Sequence, residues 1–140
     1  MSLGLDTAIR NARLELLADA LDVASNPGTL KIYSGTHPGT GVAPGVGNTL
    51  LATLTFSLPC VEVGGIAAGV LTFDTITGEN AVADGTAAWA RAADGDDTFV
   101  CDFKSVTATG GGGDIILNTV SITTGSPVTV VSAAITEGNP

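Results

Sequence analysis

The stretch WARAADGDDTFVCDF, Trp89 to Phe103, carries three of the chain's fourteen acidic residues within four positions, Asp94, Asp96 and Asp97. Carboxylates this close can ligate a hard cation or share acid–base work. As a calcium loop, however, DGDDTFVCD lacks the full alternating ligand series and the closing glutamate of an EF-hand. As a dyad, Asp96 and Asp97 are adjacent, so on a strand their side chains point to opposite faces. The remaining reading is local. Asp94-Gly95 sits between two alternating runs and favours the φ > 0 conformations of a tight hairpin turn. Trp89 and Arg91 then precede the turn, and Phe99, Cys101 and Phe103 follow it on one face. The sequence supports this hairpin best, with the acidic cluster at its solvated tip.

Other reactive residue types are scattered. His37 is the only histidine, so no histidine pair can hold zinc, and Cys60 and Cys101 are too far apart in sequence to form the usual close ligand pair; a mixed His and Cys site stays formally open. A hydrolytic triad would need His37 with a serine and an acid, but there is no GxSxG elbow. The expectation for His37 is an exposed loop residue without a partner. TGGGGD, Thr109 to Asp114, lacks the Lys and Ser or Thr of a phosphate loop and leads into the strand signal IILN, so it reads as a flexible connection or a close backbone approach. Trp89, alternating with small alanines, reads as a large core residue. Two cysteines allow one bridge, but spacing alone does not place their Cα atoms within bonding range, and Cys60 and Cys101 read as buried free thiols. No residue is assigned a catalytic, cofactor-binding or metal-binding role, no cofactor is expected, and the chain reads as no enzyme.

The elements that would position these residues follow from composition and period. A chain of 140 residues fits one domain that buries about two-thirds of the surface its unfolded form exposes. It is 44% hydrophobic and 14% charged, with nineteen glycines and a formal net charge of −9. That charge repels a phosphate backbone and argues against nucleic acid as a partner. No apolar run approaches the roughly twenty residues of a spanning helix, so no membrane association is expected. The N-terminus lacks the basic start and apolar block of a signal peptide, which implies synthesis in a cytoplasm.

Leu5 to Ala24 places Ile9, Ala12, Leu16, Ala20 and Val23 at helical spacing, with Leu14, Leu17 and Leu21 widening the stripe. Asp6 can cap this amphipathic helix, and Asn26-Pro27-Gly28 should stop it near Ser25. Beyond it the texture changes to short β-branched runs divided by glycine. TLKIYSG and TLLATLTFSL alternate as strands with one face buried. Between them GTHPGTGVAPGVGN, Gly35 to Asn48, has glycine or proline at seven of fourteen positions and reads as a long exposed loop. Further strands are expected at Gly69 to Thr75, Thr86 to Ala93, Thr98 to Lys104, Asp114 to Leu117, Thr119 to Thr123 and Val128 to Ile135. The fold class is thus mainly β: an antiparallel β-sandwich or barrel-like domain of about eight short strands. Residues 1–28 form the N-terminal helix or arm and residues 29–140 the β domain, a single unit overall. The helix either covers a sheet or packs on a neighbouring subunit, and the small residues around Trp89 and in GGIAAGV fit close packing inside the domain or across an interface.

TLKIYSGTHPG with the following GNTLLATLTFS, then DGTAAWARAADGDDTFVCDFKSV, then GGDIILNTVSITTGSPVTVVSAAIT together resemble small virion structural proteins of tailed bacteriophages and prophages. The resemblance spans roughly Thr29 to Thr136. It implies a non-enzymatic head decoration or cement protein on the capsid exterior, which binds the major capsid protein and stabilises contacts between capsomers. It also implies a cyclic homo-oligomer, a homotrimer matching a local threefold site, with the N-terminal helix and the loop Gly35 to Asn48 at subunit contacts. The alternatives are a tail, neck or baseplate component of the same type of particle, and a host-surface or carbohydrate-binding module that uses the exposed loops.

Overall fold

A computed structural model describes residues 3–137. The protein is mainly β with one N-terminal helix, a β-sandwich-like domain. The helix α1 spans Thr7–Leu21 and opens at Asp6, whose side chain accepts from the Ala8 N–H at 2.8 Å. It closes earlier than expected. Asp22 turns away to accept from the Cys60 N–H at 3.0 Å, and Gly28 delivers the chain into the first strand.

The first sheet contains β1 (Thr29–Ser34), β2 (Leu50–Thr55), β6 (Gly85–Ala93), β7 (Phe99–Phe103) and β10 (Ser121–Ile122). Its order is β2-β1-β6, with β7 and β10 both pairing β6. The second contains β3 (Ile66–Ala67), β4 (Val70–Thr72), β12 (Val130–Thr136), β9 (Ile115–Leu117) and β8 (Val106–Ala108), in the order β3-β4-β12-β9-β8. A separate pair joins β5 (Glu79–Asn80) to β11 (Pro127–Val128). The expected eight strands are therefore twelve among the described residues, because β3, β5 and β8 are short pairings outside the expected runs and the last expected run is divided. The run expected at Gly69 to Thr75 is the second arm of the β3–β4 hairpin, and the run at Val128 to Ile135 is split between β11 and β12.

One pairing runs against the antiparallel expectation. β8 and β9 are parallel, joined only by the glycine run. A parallel return ordinarily needs a crossover of a dozen residues or more. Here close backbone approach makes the short return possible: a Cβ on Gly111 would lie 2.5 Å from the Thr107 Cβ. The run is thus a packing device, the second of the two readings its sequence left open.

The core lies between the sheets. Leu30 and Ile32 of β1, Ala90 and Ala92 of β6 and Phe103 of β7 meet Leu71 of β4, Ile115 and Leu117 of β9 and Ala133 of β12. From α1, Leu14, Ala18 and Leu21 join the same cluster. Polar contacts fix the helix there: Asn11 Oδ1 accepts from the Gly69 N–H at 2.8 Å, and Arg10 Nη1 donates to the Glu137 carbonyl at 3.2 Å. Tyr33 and Trp89 are also buried, at 8% and 1% exposure, but stand outside this cluster. Strand alternation puts them on the opposite face of the first sheet.

Candidate functional site

That opposite face holds the most concentrated chemistry of the chain. Antiparallel register sets Lys31 beside Arg91 and Tyr33 beside Trp89 across β1 and β6, and Arg91 beside Asp102 across β6 and β7. Asp102 has a side chain only 1% exposed and takes a fork from Arg91, Nε to Oδ1 at 2.7 Å and Nη2 to Oδ2 at 2.9 Å. Such bidentate pairs fix geometry as well as charge.

The loop between β1 and β2 folds onto this pair. His37 Nε2 bonds Asp102 Oδ2 at 2.9 Å, and the Gly41 N–H donates to the same oxygen at 3.1 Å. The Gly39 N–H donates to His37 Nδ1 at 3.3 Å. A ring nitrogen that accepts cannot also carry a proton, so the neutral ring holds its hydrogen on Nε2 and donates it to Asp102. At the loop's far end Asn48 Nδ2 donates to the Ser34 and Thr36 carbonyls, at 3.1 and 2.8 Å. Beneath the loop Tyr33 and Trp89 stack at 4.5 Å between centroids, His37 meets Trp89 edge-on at 5.0 Å, and the Arg91 guanidinium lies 5.3 Å from the Trp89 ring and 5.1 Å from Phe99.

Electrostatics hold the arrangement charged. Burial alone would raise the Asp102 carboxyl, but hydrogen bonds from Arg91, His37 and the Gly41 N–H, with the Arg91 charge, outweigh it and hold the group below the ordinary value of 3.8. The bond to Asp102 raises Arg91 against the opposing effect of burial. The cluster can grip a loop. It offers no poised base, because both ring nitrogens of His37 are engaged.

His37 is thus not the unpartnered, exposed residue that its setting suggested, and much of the loop it belongs to is tied down. Of the three residues expected on one face after the turn, Cys101 and Phe103 both turn to the core, but a register shift between Ala92 and Ala93 brings Phe99 beside Arg91, 40% exposed, on the side where Trp89 lies under the loop.

The acidic cluster divides into separate roles. Asp94 is buried, and its Oδ1 accepts from the Asp96 and Thr98 N–H groups, each at 2.9 Å. Asp97 takes the positive φ of 66° and pairs with Lys31 at 2.7 Å, while Asp96 is exposed. Gly95 serves by close approach: a Cβ there would lie 2.1 Å from the Asn26 carbonyl oxygen. The cluster is a hairpin turn, but its first aspartate is an internal acceptor and no part of a solvated tip.

Cys60 and Cys101 are free thiols, and burial, reinforced by Asp22 and Asp102 respectively, pushes each up to about 12. Among the described residues no group of three or more His, Cys, Asp and Glu side chains is placed to hold a metal ion, and no helix is long and apolar enough to cross a membrane. A cavity of about 290 Å³ opens beside the clamp between Lys31, Tyr33, Pro44, Arg91 and Phe99.

Part of this cluster was legible in the sequence: Arg91 shares the parity of the buried Trp89, so it needs an internal partner. Which acid supplies it was not, because a two-residue turn at Asp94-Gly95 sets Thr98 opposite Arg91, whereas the longer turn observed sets Asp102 there. Comparison with protein-family models, curated proteins and solved structures gives no match for this chain.

Proposed function

We propose that the chain is a non-enzymatic structural protein of a tailed-phage particle, a head decoration protein on the outside of the capsid. The observation that carries this reading is the use made of the reactive groups: His37, Asp102 and Arg91 are spent on fastening a loop to a sheet. A rigid, pre-shaped surface costs little ordering entropy when it docks on a lattice. The resemblance of Thr29 to Thr136 to small virion proteins supports the same reading. Tyr33 and Trp89, the aromatics that a sugar site would use, stack on each other and are buried, which weighs against a glycan-binding module.

In this role the protein binds the major capsid protein across capsomer junctions, as a homotrimer on local threefold sites. A ligand that binds the intact shell and not its separated parts stabilises the shell by its differential affinity. An oligomer that touches several capsomers turns weak individual contacts into firm attachment. Copy number and location test the assignment. On the order of hundreds of copies over the head exterior support decoration, whereas about six or twelve at the neck or tail would replace it with a ring component.

A further inference from the structure

The face of α1 that the sequence pattern marks most strongly is not the one the fold buries. Leu14, Ala18 and Leu21 enter the core, while Ile9 and Leu16 stand 51% and 70% exposed on the other side, and Val23, just past the cap, is 72% exposed. Ile9, Ala12, Leu16 and Ala20 form one narrow stripe of a 3.6-residue helix. Ile9 and Leu16, seven residues apart, lie on that stripe, and exposed Val23 follows just past the end of the helix. Large apolar side chains aligned in this way mark a contact.

The two edges of the stripe carry opposite charge. Arg13 lies along one edge with its side chain 53% exposed, reaching Glu137 at 2.9 Å. Glu15 and Asp19 lie along the other, where, with Glu62, Val63 and Pro59, they line a groove of about 340 Å³. Val63 is fully exposed. Antiparallel pairing about a two-fold axis would set each edge against its own copy, Glu15 and Asp19 against Glu15 and Asp19. Parallel helices around a cyclic axis set the basic edge of one copy against the acidic edge of the next.

We infer that copies of this chain associate through the outward stripe of α1, with helices parallel around a closing axis and Arg13 of each copy entering the neighbouring groove between Glu15, Asp19 and Glu62. A stable interface needs about 800 Å² per partner. A short helix supplies only part of that, so the groove wall around Val63 belongs to the contact. The inference rests on the self-association proposed above and gives it an interface, but its test needs no capsid, so its failure leaves binding to the shell to be tested separately.

Sedimentation equilibrium between about 1 and 100 µM reads it directly. A closed dimer or trimer of the 13.8 kDa chain is expected, and 13.8 kDa throughout would overturn the inference. Leu16→Glu, at an exposed position that spares the fold, should weaken association at least about tenfold; an unchanged assembly would contradict the stripe. Arg13→Glu should weaken association about threefold or more, and adding Glu15→Arg and Asp19→Arg to it should restore it. That triple variant does not rebuild the pair with Glu137, so recovery reports the contact between copies. An inert Arg13→Glu, or a triple variant without recovery, would sink the parallel arrangement.

Discussion

His37 and Asp102 lie 65 residues apart in the chain, yet their bond fastens the long loop that sequence texture left exposed. Asp102→Asn removes the counter-charge of the largely covered Arg91 guanidinium and sets an NH2 donor where one oxygen accepted, so it should cost about 3 kcal/mol or more. His37→Ala removes one charge-assisted bond and should cost about 1.5–3 kcal/mol. Denaturant midpoints of the two variants check this order. The pH dependence follows from the same group. The folded Asp102 carboxyl lies below its unfolded value, so its contribution is complete above the ordinary 3.8 and is lost as pH falls through the lower folded value. Melting temperatures from about pH 6 down to 2 should therefore show an acid-side fall that is smaller in Asp102→Asn. Both thiols, held up to about 12, should resist alkylation at neutral pH until the chain unfolds. Rapid labelling of Cys60 in the native state would contradict its burial.

At the scale of elements, α1 shows what pattern can and cannot decide. Its cap at Asp6 and its existence were legible from Asp6 and the apolar period, as were β1, β2 and β6 from alternation. Which side of the helix faces the core was not, because apolar residues occupy both sides. The deciding partners, Asn11 to the Gly69 N–H and Arg10 to the Glu137 carbonyl, lie far away in sequence. Leu14→Ala should therefore cost about 2–5 kcal/mol, whereas Leu16→Ala should leave the stability of an isolated copy within about 0.5 kcal/mol. Chemical denaturation of dilute protein compares the two. The parallel β8–β9 pair was illegible for a different reason: its signal is the absence of side chains at Gly111 and Gly113, which composition alone reads as slack. Gly111→Ala forces a methyl group against Thr107 and should lower stability by about 1–3 kcal/mol.

At the scale of the whole molecule, a stiff β body carries a clamped loop on one sheet face and an apolar helix stripe facing outward. The net charge of −9 keeps free copies apart until a specific contact outweighs repulsion. The hairpin of Trp89 to Phe103 that began as a candidate cation site is an organiser: Asp94 builds its turn, Arg91 and Asp102 anchor the loop, and Trp89 forms the floor. The cluster's true chemistry was hidden because it depends on register across strands, and a shift at Ala92/Ala93 changes which residues share a face. The most direct test of the central proposal is DNA retention on heating by particles assembled without this protein, with and without the purified chain added back. Particles lacking it should still assemble, release DNA at lower temperature, and recover heat resistance when the chain is restored. Failure to form heads at all, or heat resistance indifferent to its presence, would contradict the proposal.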